Sequence, residues 1–152
     1  MATEQLLISA TITTLLSTEL NSLANNALAV PASSGYYDNT IGQTGNGYTI
    51  AELELVVTFG TAPTVNTGVS LWFCLSQDGT NYETGYNASV TPARLPDCVF
   101  PLLAVTTLQR IIRRVALPEG KLIALLKNDG TAQAFPATGS TVKIRPVTRQ
   151  IV

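Results

Sequence analysis

The sequence predicts an all-β protein, an antiparallel β-sandwich preceded by an extended N-terminal arm with one short helix. From residue 36 onward, short runs rich in β-branched and aromatic residues are separated by Gly, Pro, Asn and Asp turn signals. Each run is too short for a buried helix, and no repeat of fixed period points to a propeller or solenoid. At 152 residues the chain suits one domain with a real core.

The arm is assigned to residues 1–34 and the sandwich to 35–152. Leu6–Thr13 is β-branched and reads as extended. Leu16, Leu20 and Leu23 fall at helical spacing with Glu19 early, which predicts a helix over Leu15–Ala24 ended by Asn25-Asn26. Six strands then follow: Ala51–Phe59, Thr67–Ser76, Cys98–Ala104, Gln109–Leu117, Leu122–Lys127 and Thr141–Val147. Their turn signals include Asp78-Gly79, Pro118-Glu-Gly120 and Asn128-Asp-Gly130. The last two read as hairpin turns. On that reading Arg113 and Arg114 point to opposite faces of one strand, and one of them is buried against an acid of the N-terminal half.

Charged residues make up only 12% of the chain, about half the usual share, which favours association. Met1–Ala93 holds seven acids and no base, whereas Arg94 onward holds nine bases and three acids. The halves therefore carry −7 and +6. The bases are spread along strands without interleaved aromatics, so opposite-charge pairing is expected and a nucleic-acid partner is not. No apolar run approaches a membrane span, and the acidic N-terminus does not read as a secretory leader. Cys74 and Cys98 sit in apolar contexts and read as buried free thiols.

The chain has no histidine, which removes the commonest general base and histidine-based nucleophile or metal sites. No catalytic residue, metal site or cofactor is expected. Glu52 and Glu54 share a strand face, but such pairs usually face solvent. Asp78, Asn81 and Glu83 resemble calcium ligands in type, yet an Asp-Gly corner explains them without a metal. The tyrosines, Tyr82 and Tyr86 among them, suit either a sugar-binding face or protein contacts.

The order Thr18-Glu-Leu-Asn-Ser-Leu-Ala-Asn25, Tyr37-Asp-Asn39, Ala51-Glu-Leu-Glu-Leu-Val56, Leu75-Ser-Gln-Asp-Gly-Thr-Asn-Tyr82, Leu117-Pro-Glu-Gly-Lys121, Leu126-Lys-Asn128 and Thr138-Gly-Ser-Thr-Val-Lys143 resembles tailed-bacteriophage virion proteins. The resemblance covers nearly the whole chain. It implies a small jelly-roll decoration (cement) protein, made in the bacterial host cytoplasm and carried on the capsid surface. Its implied partners are the major capsid protein and further copies of itself, as a homotrimer. An arm crossing to a neighbour would bury Leu6, Leu7, Ile8, Leu15, Leu16 and Leu20. Tyr82, Tyr86, Arg113 and Arg114 are candidate subunit contacts. The alternatives are a tail or baseplate adaptor and a carbohydrate-binding module for host glycans.

Overall fold

The computed structural model describes residues 4–8, 11–32, 34–41, 47–87 and 89–151, with the backbone alone at 4–8 and 148–151. Its strands are β1 (Glu4–Ile8), β2 (Thr13–Leu16), β3 (Leu28–Ala29), β4 (Tyr37–Asn39), β5 (Ile50–Val57), β6 (Gly68–Ser76), β7 (Cys98–Pro101), β8 (Gln109–Ala116), β9 (Gly120–Asp129) and β10 (Thr141–Ile151).

Strand partners nest about the connection 77–97. β6 pairs with β7, β5 with β8, β3 and β4 with β9, and β1 and β2 with β10, all antiparallel. The pairings β5–β10 and β6–β9 join these nested pairs into two sheets. One sheet runs β1-β10-β5-β8, with β2 also on β10; the other runs β3-β9-β6-β7, with β4 also on β9. A long antiparallel ribbon rolled on itself in this way is a jelly roll.

Strand composition follows how many faces each strand buries. On β5, Ala51, Leu53, Leu55 and Val57 are buried while Glu52 and Glu54 point outward, the alternation of a sheet with one wet face. β6 and β9 are buried on both faces. Leu71, Phe73, Leu122 and Leu126 enter the main core, while Cys74, Ile123 and Leu125 form a second cluster outside the sheet. That outer cluster is roofed by Tyr82 and Tyr86 from the 77–97 connection and by Leu28 and Val30.

Three expectations are corrected. The helix over Leu15–Ala24 is a single 3-10 turn, Thr18–Leu20. Leu15 and Leu16 end β2, Leu20 closes the turn, and left-handed backbone at Ser22 and Asn26 breaks any continuing helix. Residues 11–32, expected in the arm, belong to the sandwich: β2 and β3 join different sheets, and Leu15, Leu16, Leu20 and Leu23 are buried in this chain's own core. Leu6, Leu7 and Ile8 lie in β1, and their side chains fall outside the described residues. Finally, neither Pro118-Glu-Gly120 nor Asn128-Asp-Gly130 is a hairpin: the first carries the chain from β8 in one sheet to β9 in the other, and the second leads from β9 back to β10 in the first sheet.

Asn128 fixes the segment before β3. Fully buried, its amide nitrogen donates to the carbonyls of Leu23 (3.1 Å) and Gln133 (2.7 Å), and its carboxamide oxygen accepts from Thr131 Oγ1 (2.6 Å). Its backbone N–H donates to Ala27 O, and its carbonyl accepts from Asn26 N. Leu20→Ala should lower unfolding free energy by about 2–5 kcal/mol through an internal cavity. Asn128→Ala should cost about 2 kcal/mol or more by leaving buried carbonyls unpaired. Chemical denaturation checks both; losses under about 0.5 kcal/mol, the level of an ordinary surface substitution, would show residues 11–32 to be a loosely attached arm after all.

Candidate interaction surface

The outward face of the first sheet gathers the charges that the sequence keeps apart. β5 comes from the acidic half, and both neighbours, β8 and β10, come from the basic half. Register places Glu52 between Arg114 and Arg145. Arg114 donates to its Oε1 at 2.7 Å, and Arg145 donates to its Oε2 through Nε at 3.0 Å and through its terminal nitrogen. Arg110 reaches diagonally to Glu54 at 2.7 Å. Hydrogen bonds from Arg114 and then Arg145 hold the Glu52 carboxyl below its ordinary range. A carboxylate held ionised by two arginines is a poor proton donor, so the geometry gives Glu52 and Glu54 a cross-strand pairing role.

Arg114 thus meets an acid of the N-terminal half, as expected, but neither arginine is buried. β8 is an edge strand, so Arg113, on its inward side, passes out over the rim into solvent. Arg113 makes no ion pair with a described residue.

The connection 77–97 is latched onto β6. Trp72 Nε1 donates to Arg94 O at 3.0 Å, and Arg94 donates to Phe73 O at 2.7 Å and to Asp97 at 2.8 Å. Asp97 accepts from Phe73 N at 2.7 Å. Tyr82 is only 4% exposed and meets Tyr86 edge-to-face at 5.2 Å between ring centroids, so both rings serve the second core. Trp72 is buried, and Lys121 sits over the Tyr36 ring. No open row of aromatic rings therefore remains among the described residues to stack on a sugar.

At Asp78, backbone and side-chain hydrogen bonds from Asn81, with the Thr80 N–H and the Ser76 hydroxyl, hold the carboxyl well below the usual range. Its oxygens are thus engaged in closing the turn, and no group of three His, Cys, Asp or Glu suited to a metal occurs among the described residues. Cys74 belongs to the outer cluster and Cys98 to the inner core, on opposite faces of one sheet. Burial pushes both thiols up to about 11, which makes them unreactive at neutral pH.

Four of the ten large apolar side chains exposed among the described residues lie in the stretch from residue 95 to residue 108. β7 and β8 are the free edges of the two sheets and meet there. Leu95 (86%) just before β7, Val99 (47%) on it, and Leu103 (68%) and Leu108 (61%) in the turn into β8 are exposed. The Gln109 side chain holds this turn, accepting from Leu103 N at 2.8 Å and donating to Leu103 O at 2.9 Å. The ordered turn thus presents exposed leucines near an arginine that pairs with no described residue, which makes this flank a candidate contact surface. The spaced leucines of 95–108 were a signal in the sequence, but only the fold brings them to a shared rim.

The strand order defines a jelly-roll β-sandwich. Searches of protein-family models, curated proteins and solved structures found no match to the chain. No helix among the described residues is long and apolar enough to cross a membrane.

Glu52 sets a pH dependence. Its folded pKa lies below the ordinary 4.5, so its contribution is fully present above the unfolded value and is lost as pH falls through the folded one. The thermal midpoint should hold between pH of about 7 and 5, then fall below about 4. Glu52→Gln should lower the midpoint at pH 7 and flatten the acid limb in calorimetry. An acid limb unchanged by the substitution would remove Glu52 from the stabilising network.

Proposed function

We propose that the protein is a structural component of a tailed-phage virion, a decoration protein that binds the outside of the assembled head and bridges major capsid subunits. The observation that supports this best is the open β7–β8 flank: two sheet edges and four exposed apolar side chains on a chain of unusually low charge. The ordered resemblance to virion proteins agrees with it. Jelly rolls also serve as lectin and enzyme scaffolds, so the surface must carry the functional reading.

On this reading the protein acts by binding and catalyses nothing. A protein that binds only the assembled lattice stabilises it by mass action, in proportion to the logarithm of its concentration over Kd. The flank suits a shallow apolar depression between capsid subunits, with Arg113 meeting an acid at its rim. Copies also associate with one another, as a homotrimer, and the protein works at the capsid surface after synthesis in the bacterial cytoplasm. Nucleic acid is no partner, since Arg110, Arg114 and Arg145 are engaged by Glu52 and Glu54.

Co-sedimentation with empty capsids and, separately, with purified tails tests the reading. The protein should pellet with capsids. Leu103→Asp with Leu108→Asp should weaken binding at least tenfold, about 1.4 kcal/mol, without shifting the thermal midpoint. Pelleting with tails alone would replace the head assignment by a tail or baseplate one.

A further inference from the structure

Two surfaces away from the flank carry opposite net charge. The first is the outward face of the β10–β5–β8 sheet, which no connection among the described residues roofs as 77–97 roofs the other sheet. It holds Arg110, Arg114, Lys143 and Arg145 against Glu52 and Glu54, a net +2. A groove of about 160 Å³ opens in it, with Ile12 and Ile112 beside Lys143 and Arg145. Both isoleucines are more than half exposed. The groove is smaller than a small-molecule site and suits an inserted side chain. Lys143 stands opposite Glu54 in register, but Arg110 takes that carboxylate, and Lys143 makes no ion pair with a described residue.

The second surface is the corner where the β8–β9 turn crosses between sheets. Asp78 and Glu119 line a shallow depression there with Lys121. Asp38 is Lys121's cross-strand neighbour on β4. In the depression two acids stand beside one base, and that base lies over the Tyr36 ring, 4.9 Å from its centroid. Glu119 is exposed and makes no ion pair with a described residue. Lys143 and Glu119 are two halves of an ion pair that the chain does not form with itself.

We propose that the acidic corner of one copy docks into the basic, isoleucine-walled groove of a second, with Glu119 meeting Lys143 in a head-to-tail contact. The contact is heterologous, since each copy offers a groove and a corner. A face meeting a corner turns each copy relative to the last, and such contacts form a ring where the rotation closes. Charge complementarity sets the register, and Ile12 and Ile112 supply the apolar part. This inference rests on the self-association proposed above and names the surfaces involved; it does not depend on capsid binding.

Sedimentation velocity on the purified full chain tests it. Association should weaken at least tenfold as salt rises from about 0.05 M to about 0.5 M, where the Debye length shrinks below the span of the contact. Lys143→Glu and Glu119→Lys, each checked for an unchanged melt, should each abolish association. A chain carrying both Lys143→Glu and Glu119→Lys should recover it, because the acidic groove of each copy then faces the basic corner of the next. An oligomer indifferent to salt and to both substitutions would overturn the face assignment and leave self-association standing. A monomer at every concentration and salt would overturn both, whatever the capsid assay gives. Loss in the single variants without recovery in the double variant would also overturn the head-to-tail pairing.

Discussion

The ladder between β6 and β9 constrains everything else in this molecule. It pairs Gly68–Ser76 with Lys121–Asp129 across the centre of the second sheet, and both of its faces are apolar. A strand pair with two apolar faces must be covered twice. The first sheet covers the inner face. The outer face needs a roof, and the chain supplies it from the 77–97 connection and the segment around β3. The Arg94–Asp97 latch on β6, the buried Tyr82 and the β3 pairing on β9 all follow from that need. Rolling the ribbon so that β6 and β9 lie side by side also places β5 between β8 and β10.

That last placement explains the charge pattern of the chain. A sequence acidic at one end and basic at the other would repel itself locally and attract itself at long range. Nesting brings acidic β5 between two basic strands, where Glu52 and Glu54 meet three arginines. Such exposed pairs contribute modestly to stability, but their register is specific: a one-residue slip would turn the glutamates into the core. The free edges are handled by other means. β7 is four residues long and ends at Pro101, and β8 carries Arg110, Arg113 and Arg114. Short length, proline and charge are the devices that discourage strand addition at an edge. The exposed leucines beside them are therefore better suited to side-chain docking than to sheet extension.

Much of the fold was legible in the sequence because its signals were local. The five long strands β5, β6, β8, β9 and β10 lie where alternation and turn residues put them, within a few residues at each end. The helix failed because leucine spacing alone cannot distinguish a helical stripe from a strand end, a tight turn and a loop that each reach the same core. The two-residue β3 and three-residue β4 were missed because they are strands only through β9. Pro118-Glu-Gly120 has sound turn chemistry, but turn chemistry does not state whether the strands it joins share a sheet. Arg113 illustrates the same limit, since alternation gives the face of a side chain and only topology shows that its strand is a rim. The candidate flank was illegible for that reason: that Val99, Leu103 and Leu108 lie at sheet edges follows only from the meeting of β7 with β8.

Closed core and open flank together make the central claim, that β7, β8 and the turn between them are where this protein meets its partner. Amide hydrogen exchange, followed by mass spectrometry on the free protein and on the protein mixed with empty capsids, addresses it segment by segment. In the free protein β6 and β9 should be the slowest to exchange. With capsids, new protection should appear across residues 95–114 and leave peptides from 77–91 unchanged. Protection confined to 77–91, or no change over 95–114 in a sample that demonstrably binds, would contradict the claim.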